Sequence, residues 1–220
     1  MKLAVLCPAR PDSALLLHFI IRYLCMTKDH TNTELLVLMN QNDKWNEGIE
    51  QCFGNRVRFF RENWKMGRHG LHLYYRDLIQ YTTAEWVALM CEDFDFVMHG
   101  WDEFVVEHTK HYDFMRPWIF YPRFTNTGSV CQILSRGYIN AIGPLLSEHC
   151  SIDSWINDVV EGSIRDRAIS PDVKMLVDYT VGGPPHTKIA VENVPCTGYQ
   201  DSGMIEARSH HMDILRRAIQ

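Results

Sequence analysis

The sequence predicts an α/β domain with a mostly parallel central sheet and helices on both faces, and three observations carry that expectation. Strand-like apolar runs alternate with helix-spaced runs over residues 2–90, the connections between them are short, and three of the runs end in polar clusters. At 220 residues the chain suits one domain, or one domain with a small appendage, and can bury a substantial core.

The elements follow in order. KLAVLC at 2–7 is a first buried strand stopped by Pro8, and Asp12 or Ser13 caps the helix that runs to about Met26. Its apolar run ALLLHFIIRYL is too short to span a bilayer and carries His18 and Arg22, so it reads as a buried helix. ELLVLMN at 34–40 is a second strand, ending in Asn40, Gln41, Asn42 and Asp43, and RVRFF at 56–60 is a short third. From Gly70 to about Tyr81 the residues Leu71, Tyr74, Tyr75, Leu78 and Ile79 recur at helical spacing, and WVALM at 86–90 is the fourth strand.

The second half is less regular. MRPWIFYPRFTNTG at 115–128 is aromatic and broken by prolines, VCQILSRG at 130–137 reads as a strand and turn, and GGPP at 182–185 is a loop. SIDSWINDVVEG at 151–162 is an amphipathic helix with Ser151 as its cap. No internal repeat, low-complexity tract or long linker divides the chain.

A net charge of −5 gives no general affinity for nucleic acid or anionic membranes, although local basic patches remain open. The seven cysteines are odd in number, scattered and without a CxxC pair, which reads as reduced thiols of a cytoplasmic protein. The start has five apolar residues, Leu3 to Cys7, before Pro8, too few for a signal-peptide core.

The stretch ALMCEDFDFVMHG at 88–100 places Glu92, Asp93 and Asp95 within four positions after a core strand. Adjacent carboxylates repel and raise one another's pKa, so either solvent or a cation must relieve them. In parallel sheets ligands bind outside the carboxyl ends of the strands. Ala9, Arg10 and Asp12, then Asn40 to Asp43, then Glu92 to Asp95 therefore converge on one edge, and that convergence is a stronger signal than any single cluster.

The order PARPDS, NQND and ENWKMGRHGLHLYYRDLIQYTTAEWVALMCEDFD resembles the nucleotide-sugar-binding half of GT-A fold glycosyltransferases, of the inverting family-two group and of a compact phage or viral type. The resemblance covers residues 2–100, with Ala84, Glu85 and Trp86 at the family's turn and Asp93, Phe94 and Asp95 at its DXD-type motif, and extends loosely over 130–162. It implies a nucleotide-sugar-binding half at 1–100, and an acceptor-binding half with a C-terminal segment at 101–220, within one domain. Pro8, Ala9, Arg10, Asp12, Asn42, Asp43, Arg68, Arg76, Glu92 and Asp93 would bind a nucleoside-diphosphate sugar, with UDP as the default carrier. Asp93 and Asp95, with His210 from a late segment, would hold Mn²⁺ or Mg²⁺.

The match at 130–162 implies Asp153 as the base that deprotonates the acceptor hydroxyl, with Asp158 behind it. Two departures stand out: Ile152 precedes Asp153 where the family has a second acid, and Arg76 stands where it often has Asn. A hard divalent ion bridging both phosphates stabilises the charge that develops as the glycosidic bond breaks, and such ions take one or two carboxylates plus phosphate and water.

Plainer readings stand beside these. Asp153 is also a favourable acid in a first helical turn, Arg10 and Asp12 also suit a cap, and Asn42 and Asp43 are ordinary turn residues. His69 with His72, and His108 with His111, share i,i+3 spacing without a partner set for zinc. The acceptor, a glycan, a small molecule or a modified base, stays open. Phage DNA bearing hydroxymethylated bases would meet Trp118, Phe120, Tyr121 and Phe124 with Arg116, Arg123 and Arg136. A nucleotidyltransferase would share the sheet and paired carboxylates, but PARPDS lacks the glycine-rich loop expected of one. A non-catalytic nucleotide-binding relative is the third alternative.

Overall fold

A computed structural model of the chain describes residues 1–10, 14–42, 47–63, 71–110, 119–120, 131–143, 152–169, 175–178 and 202–218. The first strand, β1 (Leu3–Pro8), is buried along its whole length. A strand covered on both faces needs a continuous apolar run rather than an alternating one, and LAVLC supplies it. Leu3, Val5 and Cys7 pack on one side with Leu16, Phe19, Ile20 and Tyr23 of α1 (Ala14–Met26). Ala4 and Leu6 pack on the other with Tyr74, Tyr75 and Leu78 of α3 (Leu71–Ile79).

Between these helices come β2 (Thr33–Asn40), α2 (Glu47–Phe53) and β3 (Arg58–Glu62), and β4 (Trp86–Leu89) follows α3. The large sheet has seven strands in the order β3-β2-β1-β4-β7-β6-β8, with β6 (Ile119–Phe120), β7 (Ile133–Ser135) and β8 (Ala168–Ile169) completing it. β3, β2, β1 and β4 are mutually parallel, with Leu6 opposite Leu36 on one side and Leu89 on the other. β7 runs against β4, setting Ser135 opposite Trp86 and Ile133 opposite Ala88. β5 (Phe94–Phe96) and β9 (Leu176–Asp178) form a separate antiparallel pair.

Several elements were not visible in the sequence. α2 is seven residues long and buries none of them fully, with only Ile49 and Phe53 partly packed on the core, too few to mark an apolar stripe. α4 (Trp101–Lys110) is anchored by Trp101 and Val105, one turn apart, too short a pattern to stand out. By contrast, the strand, Ser-Arg turn and short helix that the resemblance implies over 130–162 are present, the helix being α5 (Arg136–Ile142): the Ser135 side chain accepts from the Tyr138 N–H at 3.1 Å. Gly143, at φ 66°, ends it. The expected 151–162 helix is α6 (Ile152–Ser163), and α7 (Ser202–Ala218) packs against α5 and α6. Among the described residues no helix is long and apolar enough to cross a membrane.

Candidate functional site at the carboxyl edge of the sheet

β1 ends as the Ala9 N–H donates to the Leu38 carbonyl at 2.9 Å, which carries Arg10 out past the sheet beside β2. At the end of β2 the Asn42 N–H donates to Asn40 Oδ1 at 3.0 Å, a side-chain-closed turn that leaves Asn42 exposed. Beyond β4 the Met90 N–H donates to Leu6 O at 3.0 Å, and the Phe94 N–H donates to Cys91 O at 3.2 Å. Glu92 and Asp93 are thus the two central residues of a β-turn that redirects the chain from the large sheet into β5.

The charge of this turn is met from within the chain. Arg10 donates Nε to Glu92 Oε1 at 2.5 Å and its backbone N–H to the same oxygen at 3.1 Å, and Nη2 lies 3.5 Å from Asp93 Oδ2. Burial disfavours the charge on Arg10, but Glu92 and Asp93 outweigh it and raise the guanidinium's pKa. Glu92 is 1% exposed, and its Oε2 is buried without a hydrogen-bond partner among the described residues. Burial pushes the Cys7 thiol up, with Glu92 adding to it, and burial pushes Cys91 up, with Asp93 adding to it; both are held as thiols. The Tyr75 hydroxyl meets Cys91 Sγ at 3.4 Å and closes the floor beneath the turn.

Asp93 and Asp95, expected as a pair, have different partners. The turn puts Asp95 on β5, where Arg22 Nε reaches its Oδ1 at 2.7 Å and His18 Nε2 lies 3.7 Å from Oδ2. Arg22 was missed as a site-shaping residue, although an arginine inside the apolar ALLLHFIIRYL run signals a carboxylate partner.

Across the edge, β7 brings a polar pair that sequence reading did not single out. The Leu89 N–H donates to Gln132 O at 3.0 Å, and the Gln132 side chain, 1% exposed, donates to Asn157 Oδ1 on α6 at 3.1 Å. Asp153 lies one helical turn before Asn157; its side chain falls outside the described residues. Asp158 accepts from Arg208 Nη1 at 2.7 Å, which fastens α6 to α7. His210 is exposed on α7, whereas its neighbour His211 is buried and accepts from Trp155 Nε1 at 3.0 Å. Arg76 is on the exposed face of α3, 3.5 Å from Asp77. Asp12, Asp43 and Arg68 lie outside the described residues, as do Arg116, Trp118, Tyr121, Arg123, Phe124 and the side chain of Phe120.

A divalent ion suits the donor chemistry at the turn. Glu92 and Asp93 offer hard carboxylate oxygens, one of them buried and unpaired, and Mg²⁺-like ions need only one or two such ligands when phosphates complete the shell. Among the described residues no group of three or more His, Cys, Asp or Glu could cage a metal. A cleft of about 700 Å³ lies elsewhere, at the amino edge, lined by Lys2, Lys28, Asp29, His99, Asp102 and His108 among others. Its charges are already engaged: Lys28 pairs with Glu103, and Asp102 accepts the backbone N–H groups of Lys28 and Asp29.

No protein-family model matches the sequence, and no curated protein matches it. Solved structures do. TarS of Staphylococcus aureus in complex with UDP superposes with a TM-score of 0.58 at 11% identity, covering 80% of this chain and 60% of that one. The mannosyltransferase PcManGT from Pyrobaculum calidifontis, in complex with GDP-Man and Mn²⁺, gives 0.59 at 12% identity, covering 80% and 56%. A cytidylyltransferase from Leptospira borgpetersenii gives 0.55 at 16% identity, covering 98% and 97%. The chain therefore spans about 60% of the length of the TarS structure it resembles. Identities this low establish architecture rather than activity. The chain has a GT-A-like glycosyltransferase fold.

Proposed function

We propose that the protein is a metal-dependent glycosyltransferase that moves a sugar from a nucleoside-diphosphate donor, UDP-sugar by its resemblance, to an acceptor hydroxyl with inversion. One observation carries the reading. The parallel order β3-β2-β1-β4 reverses direction between β1 and β4, and Arg10, Glu92 and Asp93 gather at the carboxyl ends of those two strands. That switch point is where open α/β sheets bind nucleotides.

Each residue has a role in this reading. Arg10, with Arg68 and Arg76, takes the diphosphate in this reading, and Asn42 and Asp43, with Pro8, Ala9 and Asp12, take the base and ribose. Asp93, with Glu92, holds Mn²⁺ or Mg²⁺, which neutralises charge on the departing diphosphate. The ion pairs of Asp95 with Arg22 and of Asp158 with Arg208 favour fastening roles for those two acids, and His210, exposed on α7, is given no place in the shell. Asp153, a turn before the Asn157 that Gln132 holds at this edge, is the base. The free thiols of Cys7, Cys25, Cys52, Cys91 and Cys131 favour a reducing, cytoplasmic setting.

The near-complete mutual coverage with the cytidylyltransferase favours one second reading, a nucleotidyltransferase. A thermal-shift screen of UDP, GDP, ADP, CDP and CTP, with and without Mn²⁺, separates the two, because a ligand stabilises the native state by mass action. A rise selective for one diphosphate, requiring Mn²⁺ and lost in Asp93→Asn, supports the glycosyltransferase. A response to CTP alone, with pyrophosphate release on turnover, supports the second reading, and no response to any nucleotide removes both.

A further inference from the structure

We propose that Arg10 is a built-in counter-cation: it bridges Glu92 and Asp93 until a diphosphate draws it away, so that cation and diphosphate bind together and the cation alone binds poorly. This rests on the metal and diphosphate reading above.

The contacts of Arg10 are unequal. Two of its N–H groups, Nε and the backbone amide, converge on Glu92 Oε1 at 2.5 and 3.1 Å, whereas its reach to Asp93 is one 3.5 Å approach from Nη2. The grip on Glu92 is that of a charge-assisted hydrogen bond, and the contact with Asp93 is beyond good hydrogen-bond length. Asp93 is therefore the carboxylate that Arg10 can give up at little cost. The arrangement is also incomplete. Glu92 Oε2 stays buried with no hydrogen-bond partner among the described residues, which carries a desolvation penalty.

Charge then dictates the order of events. A divalent ion added while Arg10 still lies against both acids brings two positive centres together at close range, which opposes its entry. A diphosphate relieves that repulsion, because a planar guanidinium binds phosphate oxygens through the same fork it offers to carboxylates. Arg10 swings from Asp93 towards the phosphates, keeps its anchor on Glu92, and leaves Asp93 to the ion.

Equilibrium dialysis tests this with Mn²⁺ as the metal and inorganic pyrophosphate as a base-free diphosphate, at equal free Mn²⁺ throughout. Wild-type protein is expected to bind Mn²⁺ at least about tenfold more tightly when pyrophosphate is present. Arg10→Gln is expected to bind Mn²⁺ alone about tenfold more tightly than wild type and to gain little from pyrophosphate. If Arg10→Gln does not fold, Arg10→Lys carries the test: its point charge keeps Mn²⁺ weak in isolation, but loss of the fork removes most of the pyrophosphate enhancement. Equal Mn²⁺ affinity in wild type and Arg10→Gln, abolished by Asp93→Asn, overturns the role of Arg10 and leaves the metal reading standing. No Mn²⁺ bound by any of these proteins, with or without pyrophosphate, overturns both.

Discussion

Arg22 on α1 holds two successive residues of β5, donating Nε to Asp95 Oδ1 and Nη2 to the Phe96 carbonyl, each at 2.7 Å. Asp95 is thereby a fastener between a helix of the large sheet and the small sheet. Asp95→Ala should lower stability by about 1.5–3 kcal/mol, the usual worth of a hydrogen-bonded charge partner. In a domain of this size that is a fall in Tm of roughly 3–12 °C. The same variant should keep its Mn²⁺-dependent nucleotide response. Loss of that response at an unchanged Tm would return Asp95 to the metal shell.

Arg136 has a comparable duty at the other end of β4. Its Nε and Nη2 donate to the Ala84 and Thr82 carbonyls at 3.0 Å, and its backbone N–H donates to Glu85 O at 2.7 Å. A side chain so engaged clamps the turn that launches β4, which favours a structural role over a contact for nucleic acid. Arg136→Ala should cost about 1.5–3 kcal/mol in urea unfolding, with binding to hydroxymethylated DNA no different from wild type. A salt-dependent drop in DNA affinity with intact stability would reverse that assignment.

Asp29 gives the fold an acid-sensitive point. Hydrogen bonds from the Thr31 and Asn32 side chains, then from their backbone N–H groups, lower its pKa from 3.8 to about 2. A carboxylate depressed on folding contributes stability that is complete above its ordinary pKa and is lost as pH falls through the folded value. The gap in Tm between wild type and Asp29→Ala should accordingly be open at pH 6 and close between about pH 4 and pH 2. A gap of constant size across that range would mean that packing, not charge, explains the effect.

Trp155 and His211 join α6 to α7 in the core, at 1% and 2% exposure. The indole N–H donates to Nδ1, so the imidazole proton sits on Nε2 in the neutral ring. Trp155→Phe removes the donor to a buried acceptor as well as some ring volume, and is expected to cost about 1–3 kcal/mol for the hydrogen bond alone. Chemical denaturation monitored by far-UV circular dichroism measures it. A change below about 0.5 kcal/mol, the range of ordinary surface substitutions, would show that the bond does not hold α7 in place.

The parallel half of the sheet was legible because three of its four strands, β1, β2 and β4, are buried along most of their length. A run such as LAVLC or ELLVL admits few other placements, and the carboxyl-edge rule then gathers Arg10, Asn42 and Glu92 without further information. What fastens that edge was not legible, since it depends on side chains far apart in sequence. Two arginines, Arg10 and Arg22, divide the crowded carboxylates of EDFD. The separation of Asp93 from Asp95 needs the Cys91–Phe94 turn, which strand periodicity does not encode. Gln132 and Asn157 were missed because a polar pair bridging a strand end and a helix leaves no local pattern.

The antiparallel contact between β4 and β7 sets how the two halves of the chain can diverge. Among the described residues three pairs, Trp86 with Ser135, Val87 with Leu134 and Ala88 with Ile133, register β7 against β4, flanked by one hydrogen bond at each end, whereas β1 and β2 are registered along six. A narrow seam of this kind lets insertions and exchanges accumulate beyond β7 while the alignment of β1, β2 and β4 stays fixed. Chimeras joined just after Ser135 would therefore keep β1, β2, β4 and β7 in register while the chain beyond β7 is exchanged, and the seam marks where such grafts belong.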